Sequence, residues 1–325
     1  MEENLFEQRT ELDALDIAVQ QLKAEIGKVI VGQDEMIELL LAGILADGHI
    51  LIEGVPGVAK TLTAKLLSRV ISVGFSRIQF TPDLMPSDVI GTSVFNPRDS
   101  NFQFKHGPIF SNIVLIDEIN RAPAKTQSAL FEVMEERQIT VDGQTYHLMP
   151  PFMVVATQNP IEQEGTYHLP EAQLDRFLFK IKVDYPTQQE EFHIVSNHHL
   201  MKGDQRIETV DAVLSAARIQ ELRDKVRSLH IEDKLIHFIT AIVAATRNNK
   251  SIYLGASPRA SIGILNGSKA LAAMRGRDFV TPDDIIYTVP AVLRHRLVLT
   301  PQKEMDGATT DDVIGEIIQS IEIPR

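Results

Sequence analysis

A glycine-rich segment that joins an apolar run to a helical pattern constrains this chain more than any other feature. Residues 49–53 are largely apolar, residues 54–61 are glycine-rich, and a helical pattern covers 62–70. This order presents backbone N–H groups and the positive end of a helix to a phosphate. Lys60 can reach the β- and γ-phosphates of a nucleotide, and the Thr61 hydroxyl can ligate Mg²⁺. The segment therefore predicts an ATP site made by consecutive residues: Gly54, Val55, Pro56, Gly57, Val58, Ala59, Lys60, Thr61 and Leu62.

Ala59 stands immediately before the lysine, where phosphate loops usually have glycine. Its methyl group is accommodated if the residue keeps φ below zero, because a positive φ favours glycine.

A second motif follows downstream, where the buried-strand pattern 113–116 ends in Asp117 and Glu118. In a phosphate-loop ATPase, an acid at this point holds the Mg²⁺ water shell and its neighbour polarises the attacking water. We assign Asp117 to the metal and Glu118 to the general base. The alternative is a strand that runs into an acidic helix N-cap.

Three further polar positions follow. The apolar run 152–157 leads to Asn159, which can hydrogen-bond a γ-phosphate and the lytic water. Arg176 is the next-to-last residue of the segment 169–177, and Arg259 lies within the segment 255–260. Seen alone, each arginine is more simply a solvated surface charge.

Taken together, the motifs GVPGVAKT, LIDEINRAP, ATQNP, LPEAQLDRF and GASPRA resemble, in this order, those of AAA+ ATPases of the MoxR group. The resemblance covers roughly residues 25–300. It implies an AAA+ fold and assigns the residues as follows: Lys60 and Thr61 to Walker A, Asp117 and Glu118 to Walker B, Asn159 to sensor 1, Arg176 to the arginine finger, Arg259 to sensor 2, and Val31, Gly32 and Gln33 to the turn beside the adenine. It leaves open which subunit each arginine serves.

The composition excludes several classes. The chain has 325 residues, 44% of them hydrophobic, which is enough for two domains. It has no cysteine, which excludes disulfides, thiolate nucleophiles and cysteine-ligated zinc and fits a cytoplasmic location. No run approaches the roughly 20 apolar residues of a membrane span, and the acidic start is unlike a secretory signal. A net charge of −12 makes nucleic acid an unfavourable partner, although local basic patches stay open.

The periodicity predicts three parts. An amphipathic helix occupies 1–28, with apolar residues at helical spacing: Leu12, Leu15, Val19, Leu22 and Ile26. An α/β core with a parallel sheet occupies 29–186, with strands near 50–53, 76–80, 113–116, 152–157 and 178–183. An all-helical lid occupies 187–325, with helices at 187–201, 211–229, 232–248, 258–275, 281–296 and 310–321.

Two β-hairpins are predicted within the core, at 91–104 and 139–148, the second with a strong Asp142-Gly143 turn signal. They resemble the hairpins that face the pore or upper surface of ring-shaped relatives, where they couple ATP state to a bound partner. They could instead be plain structural loops.

Two polar groups in the lid receive no functional assignment. His193, His198 and His199 lack accompanying ligand motifs, which favours solvated helix histidines over a metal site. The run 294–296, Arg-His-Arg, near a helix end suits the helix dipole and is predicted to be a simple C-terminal charge cluster.

The resemblance implies Mg²⁺-dependent ATP hydrolysis between subunits of a homo-oligomeric ring, most simply a hexamer. It further implies chaperone-like remodelling of client proteins, often beside a partner with a von Willebrand A domain. Two alternatives stay open: the ATPase subunit of a metal chelatase, and a nucleic-acid motor of the minichromosome-maintenance class. The second hairpin has Asp142, Gly143 and Gln144 at its tip, which disfavours the motor.

Overall fold

The structure, a computed structural model, describes residues 2–98, 100–159, 167, 169–200 and 205–324. Its strands are β1 (His49–Gly54), β2 (Phe75–Gln79), β3 (Gly91–Asn96), β4 (Asn101–His106), β5 (Ile113–Asp117), β6 (Gln138–Val141), β7 (Gln144–His147), β8 (Met153–Gln158), β9 (Phe177–Val183), β10 (Ile252–Leu254) and β11 (Val298–Leu299). Its helices are α1 (Glu2–Gly27), α2 (Asp34–Leu45), α3 (Lys60–Val70), α4 (Pro86–Ile90), α5 (Ala124–Glu136), α6 (Glu171–Leu174), α7 (Gln188–Leu200), α8 (Gln205–Glu208), α9 (Ala216–Ser228), α10 (Asp233–Asn248), α11 (Pro258–Met274), α12 (Pro282–Leu293), α13 (Pro301–Met305) and α14 (Thr310–Ser320).

The central sheet has five strands in the order β2-β5-β8-β1-β9, and all its pairings are parallel. Each of the five predicted strands is confirmed to within one residue at either end. Alternate residues enter different cores: Ile113 and Leu115 pack with α2 and α3, whereas Val114 and Ile116 pack with α5. Both faces are therefore covered, as the continuous apolar strand patterns predict.

Both predicted hairpins are confirmed, as β3–β4 and β6–β7. The second turns through Asp142 and Gly143, both at positive φ, as a tight two-residue turn requires. The hairpins touch each other. The rings of Phe104 and Tyr146 lie 4.6 Å apart, and the Ser93 hydroxyl donates to Asp142 at 2.5 Å.

The N-terminal helix α1 packs against α3 of the core and α11 of the lid. Four of its predicted apolar residues, Leu15, Val19, Leu22 and Ile26, are buried. The side chain of Leu12 lies outside the described part of the chain. Among the helices that the structure describes, none is long and apolar enough to cross a membrane.

The C-terminal part is mainly helical, as predicted, but it also contains the antiparallel pair β10–β11. The prediction of an all-helical segment was wrong there because strands of three and two residues are too short to show a period. The helix predicted at 211–229 begins only at Ala216, after its N-cap Ser215. The short helices α8 and α13 were also missed.

The interpretation of residues 294–296 as a simple charge cluster was wrong. The side chains of His295 and Arg296 are buried, and the His295 Nε2 lies 2.9 Å from the Phe177 carbonyl of β9. Burial lowers the pKa of His295 well below its usual value, which keeps the ring neutral. The helix α12 ends at Leu293, and the following residues turn onto β9, where Arg296 also donates to the Val292 carbonyl in the last turn of α12.

Candidate nucleotide site

The phosphate loop lies at the carboxyl edge of the sheet, between β1 and α3. Because the strands are parallel, the carboxyl ends of β5 and β8 meet at the same edge. They bring three predicted site residues to the loop: Asp117, Glu118 and Asn159. Together these elements enclose a phosphate cavity of about 380 Å³, lined by Pro56, Gly57, Val58, Ala59, Lys60, Thr61, Leu62, Arg77, Gln79, Asp117, Glu118, Thr157 and Asn159.

The loop enters its helix through left-handed backbone. Gly57 has φ 91°, and the space beside its missing side chain is open. Ala59 has φ 59°, so the condition under which its methyl group is easily accommodated is not met. Ala59 is the N-cap of α3, and its carbonyl accepts bonds from the Thr63 N–H and hydroxyl at 2.9 and 3.0 Å. The turn into the helix therefore holds an alanine in a conformation that usually favours glycine.

Lys60 points back along the loop, and its Nζ donates to the Gly54 carbonyl at 2.5 Å. Partial burial lowers the pKa of Lys60, whereas the carboxylates of Asp117, Glu118 and Glu53 act in the opposite direction. Lys60 thus lies near the carboxylates of the phosphate cavity, and its hydrogen-bond partner among the described residues is the neutral Gly54 carbonyl. A phosphate oxygen is a stronger acceptor for an ammonium group than a carbonyl oxygen.

The two acids after β5 are held by polar residues of β2 and β8. Arg77 Nε lies 2.6 Å from Asp117 Oδ2, and the Thr157 hydroxyl donates to Asp117 Oδ1 at 3.2 Å. Gln79 donates to Glu118 Oε2 at 2.8 Å. A water or metal ion that approaches these carboxylates must therefore compete with Arg77 and Gln79. Sequence reasoning missed both residues, although they alternate along a strand, the pattern of side chains on one face.

A second cavity of about 320 Å³ adjoins the phosphate cavity and shares four loop residues with it: Gly57, Val58, Ala59 and Leu62. Its other lining residues are largely apolar and come from the segment before α2, from the end of the core and from the lid: Val29, Ile30, Val31, Gln33, Pro186, Ile194, His198 and Ile207. An apolar pocket beside a polar one matches the two halves of a nucleotide, a flat base and a charged phosphate chain. We call it the base cavity.

The predicted adenine turn contributes to this cavity through Val31 and Gln33. Gly32 has φ 69°, a backbone conformation that favours glycine, and a side chain there would displace the Glu190 carboxylate. Gln33 donates to the Asp184 carbonyl at 3.3 Å and closes the turn against the end of the core. The lid residues of the cavity were not predicted, since nothing in their own sequence shows what they face.

Two predicted loop residues, Gly54 and Val55, line neither cavity within the described part of the chain. Gly54 closes β1, where a side chain would meet the Val183 carbonyl at 2.6 Å. Its glycine is therefore required by the close approach of the neighbouring strand.

The two predicted arginines lie together, outside both cavities among the residues described. Arg259 Nη2 is 2.8 Å from Glu135 Oε1, and Arg176 Nη1 is 3.8 Å from Glu135 Oε2. The structure thus brings Lys60, Asp117, Glu118 and Asn159 into one site, whereas Arg176 and Arg259 contact Glu135 and line neither cavity among the described residues.

The residues of the two cavities fit a magnesium nucleotide. The hydroxyl of Thr61 and the carboxylate of Asp117 are hard oxygen donors, which Mg²⁺ prefers. Lys60, the left-handed Gly57 and the start of α3 supply donors and positive charge for phosphates. Mg²⁺ bound there would neutralise phosphate charge.

Similarity to known proteins agrees with this geometry. Residues 49–179 match the family model "ATPase family associated with various cellular activities (AAA)", and residues 244–317 match the AAA lid domain. The chain is 44% identical to Chaperone MoxR1 of Mycobacterium tuberculosis, over 93% of this chain and 81% of that protein. The chain belongs to the MoxR family of AAA+ ATPases.

Two further proteins place this MoxR-family chain among close relatives. It is 46% identical to YeaC of Bacillus subtilis over 92% of both chains. The crystal structure of a proposed ATPase from Cytophaga hutchinsonii superposes with a TM-score of 0.91 at 41% identity and covers 100% of both chains.

Proposed function

We propose that the protein binds Mg·ATP in the two joined cavities and hydrolyses it at the interface between adjacent subunits of a ring, most simply a hexamer. The observation that carries this proposal is the separation of the two halves of the site. The groups to which we assign ATP binding and water activation line one cavity of a subunit, whereas Arg176 and Arg259 contact Glu135 and line neither cavity among the described residues.

Each residue has a role in this proposal. The adenine occupies the base cavity against Val31 and Gln33, and Lys60 binds the β- and γ-phosphates. Thr61 and Asp117 hold the metal. The roles in water attack fall to two residues of the phosphate cavity: Glu118 accepts a proton from the attacking water as general base, and Asn159 orients that water against the γ-phosphate.

Glu118 must first leave its hydrogen bond to Gln79, because that bond occupies one of the carboxylate oxygens that would accept the proton. Arg77 must likewise leave Asp117 for the carboxylate to serve the metal. The structure therefore corresponds to a resting arrangement of these four side chains.

A neighbouring subunit supplies the arginines in this proposal, because neither reaches the cavities of its own subunit among the described residues. Arg259 lies in the first turn of α11, and Ile262, one turn later on the same face, has 58% of its surface exposed. A large apolar residue exposed beside a functional arginine is expected at a subunit interface.

In this proposal, ATP hydrolysis drives the remodelling or activation of client proteins. The name of the Mycobacterium tuberculosis relative, Chaperone MoxR1, supports it. The hairpin β3–β4 exposes Phe95 and Phe102, whose rings lie 5.3 Å apart, and it contacts β6–β7, which leads into β8 and so toward Asn159. Clients contact these hairpins in our proposal. A partner with a von Willebrand A domain remains part of the proposal on the family resemblance alone.

Glu118→Gln tests the proposed chemistry. Because a base is needed for hydrolysis but not for binding, we expect ATP affinity within about twofold of the parent and turnover lower by roughly 10²- to 10⁴-fold. Calorimetry measures the first and phosphate release the second. Glu53→Gln, a charge change near Lys60 outside the proposed base, serves as control. Parental turnover in Glu118→Gln would remove Glu118 as the base.

Protein concentration tests the ring independently of any variant. Since a site completed by a neighbour works only in an assembly, specific ATPase activity should rise with protein concentration and level off as light scattering reports full assembly. Specific activity that stays constant while the assembly dissociates would contradict a shared site.

A further inference from the structure

Arg176 and Arg259 share one carboxylate. Glu135 accepts a hydrogen bond from Arg259 Nη2 at 2.8 Å through one oxygen and lies 3.8 Å from Arg176 Nη1 through the other. Arg176 Nη1 also donates to the Phe131 carbonyl, one turn earlier on α5. The two guanidinium groups come from distant parts of the chain, one after α6 and one at the start of α11, and α5 is where they meet.

The backbones of the two arginines are tied to each other by Asp175. This residue directly precedes Arg176, and its Oδ2 accepts from the Ser257 hydroxyl at 3.0 Å. Ser257 is the N-cap of α11, and the same hydroxyl oxygen accepts from the Arg259 N–H at 3.2 Å. One short chain of hydrogen bonds therefore joins the residue before Arg176 to the backbone of Arg259.

Arg296 binds Asp175 and so supports this chain of hydrogen bonds. Its side chain is buried, and its Nε lies 2.6 Å from Asp175 Oδ1. Its Nη2 donates to the carbonyls of Asp175 and Phe177 at 3.0 and 2.6 Å. A buried guanidinium that satisfies a carboxylate and several carbonyls at once is costly to disturb. The backbone spacing between Arg176 and Arg259 is therefore supported by hydrogen bonds anchored on the buried Arg296, whereas their side-chain directions depend on α5.

Helix stability does not explain Glu135. It lies in the last turn of α5, followed by Glu136. Carboxylates at that end oppose the helix dipole. The contacts that compensate Glu135 are the two guanidinium groups, which carry two positive charges against its single negative charge.

We propose that Glu135 is a positioning residue that holds Arg176 and Arg259 as one cationic pair and presents the pair to the polyphosphate of the neighbouring subunit. The proposal deepens the proposed function and rests on it. The two arginines and Glu135 together carry a charge of +1 in a chain of net charge −12, so a polyphosphate is a complementary partner. All three side chains are partly exposed, and exposed ion pairs are weak enough to exchange with a tetra-anionic ligand.

The test is a cycle of lysine substitutions with and without Glu135. Turnover is measured by phosphate release at protein concentrations that give full assembly, for Arg176→Lys, Arg259→Lys and the double variant. If Glu135 couples the arginines, the loss in the double variant is smaller than the product of the single losses, because the first substitution already breaks the shared contact. In the Glu135→Gln background the losses should multiply. Multiplicative losses in both backgrounds would overturn the proposal.

Glu135→Gln alone should lower kcat by roughly three- to fivefold and leave KM for ATP within about twofold, since an exposed pair contributes up to ~1 kcal/mol. Glu132→Gln, one turn earlier on α5 and also exposed, removes the same charge and should match the parent. If neither arginine substitution alters turnover, the proposed function itself fails. If both arginine substitutions lower turnover but Glu135→Gln has the same turnover as Glu132→Gln, only the proposed role of Glu135 fails.

Rings that mix two variants show whether Glu135 acts on its own subunit or on the neighbouring one. Lys60→Ala subunits have a defective phosphate loop but an intact Glu135. Glu135→Gln subunits have an intact phosphate loop but lack the Glu135 carboxylate. In mixed rings, turnover per intact phosphate loop should rise roughly two- to threefold above that of Glu135→Gln alone. Unchanged turnover in rings shown to be mixed would mean that Glu135 acts within its own subunit, which contradicts the proposal.

Discussion

The nucleotide side and the arginine side of one subunit differ in how completely they are built. On the nucleotide side, joined cavities of about 320 and 380 Å³ collect residues from the loop, three strands and the lid. On the arginine side, Arg176 and Arg259 stand beside a single carboxylate, without either cavity within reach in the described structure. The first side has the features of a binding site. The arginine side instead has two guanidinium groups that, in our proposal, bind the phosphates of a neighbouring subunit.

This difference implies a division of labour. Contacts that form within one subunit should set the affinity for ATP, because they are present before assembly. Contacts that form only across an interface should act mainly on turnover, because charge develops in the transition state. Substitution of a group that binds the nucleotide, such as Lys60, should therefore change mainly the affinity. Substitution of the arginines should change mainly the rate, as should substitution of Glu118, which acts on the attacking water.

The largest effect is expected on the arginine side. Arg176→Ala should lower turnover by about 10³-fold or more, the usual contribution of an arginine finger, with ATP affinity within about threefold. Phosphate release and calorimetry measure the two quantities. Arg218→Ala, which removes a partly exposed arginine paired with Glu221, is the control and should match the parent. A matching loss of ATP affinity in Arg176→Ala would move the arginine to the nucleotide side and break the comparison.

On the nucleotide side, Lys60→Ala should weaken ATP binding by about 10- to 100-fold, since a charge-assisted hydrogen bond to phosphate contributes ~1.5–3 kcal/mol. The fold should persist, as thermal unfolding can verify. Lys65→Ala, an exposed lysine further along α3, is the matched control. Unchanged calorimetric binding in folded Lys60→Ala would remove the loop assignment.

A smaller effect is expected at Arg77. Its ion pair with Asp117 competes with the metal, so Arg77→Ala should lower the Mg²⁺ concentration needed for half-maximal nucleotide binding by about two- to fivefold. Arg77 is more than half exposed, which limits the pair to ~1 kcal/mol or less. Fluorescent-nucleotide titrations at fixed ATP and varied Mg²⁺ measure this shift. A higher Mg²⁺ requirement would mean that Arg77 supports the metal site instead of blocking it.

The smallest effect concerns Ala59. Left-handed alanine is strained by about 1–2 kcal/mol, and glycine adds about 0.4–1 kcal/mol of unfolded-state entropy, so Ala59→Gly should stabilise the fold by roughly 0.5 kcal/mol. Denaturant unfolding measures the change. Ala244→Gly, in the exposed middle of α10, should instead destabilise by about 1 kcal/mol. Destabilisation by Ala59→Gly would show that the loop is not strained at this alanine.

The parts that sequence predicts well are those determined by neighbours in the chain. The strands β5 and β8 are continuous apolar runs, and Asp117 and Asn159 come directly after or near their ends. Parallel pairing brings such ends to one edge, so their meeting at the phosphate loop follows from pattern alone.

The parts that it misses depend on distant packing. The burial of Arg296 requires α12 to turn back onto β9, and an arginine beside a helix end shows no sign of this in the sequence. The role of Glu135 depends on its contacts with Arg176, which follows α6, and with Arg259, which lies in the first turn of α11. Nothing in the sequence around Glu135 indicates these contacts. The φ of Ala59 depends on how the loop enters α3, which the residue types there did not reveal.

The most direct test of a site shared between subunits is activity in mixed rings of Arg176→Ala and Lys60→Ala. Each variant alone has one defective half at every interface and should be nearly inactive. A mixed ring contains some interfaces with an intact loop on one side and an intact arginine on the other, so we predict partial recovery of phosphate release. No recovery, in rings that light scattering and differential labelling show to be mixed, would contradict action of Arg176 across the interface.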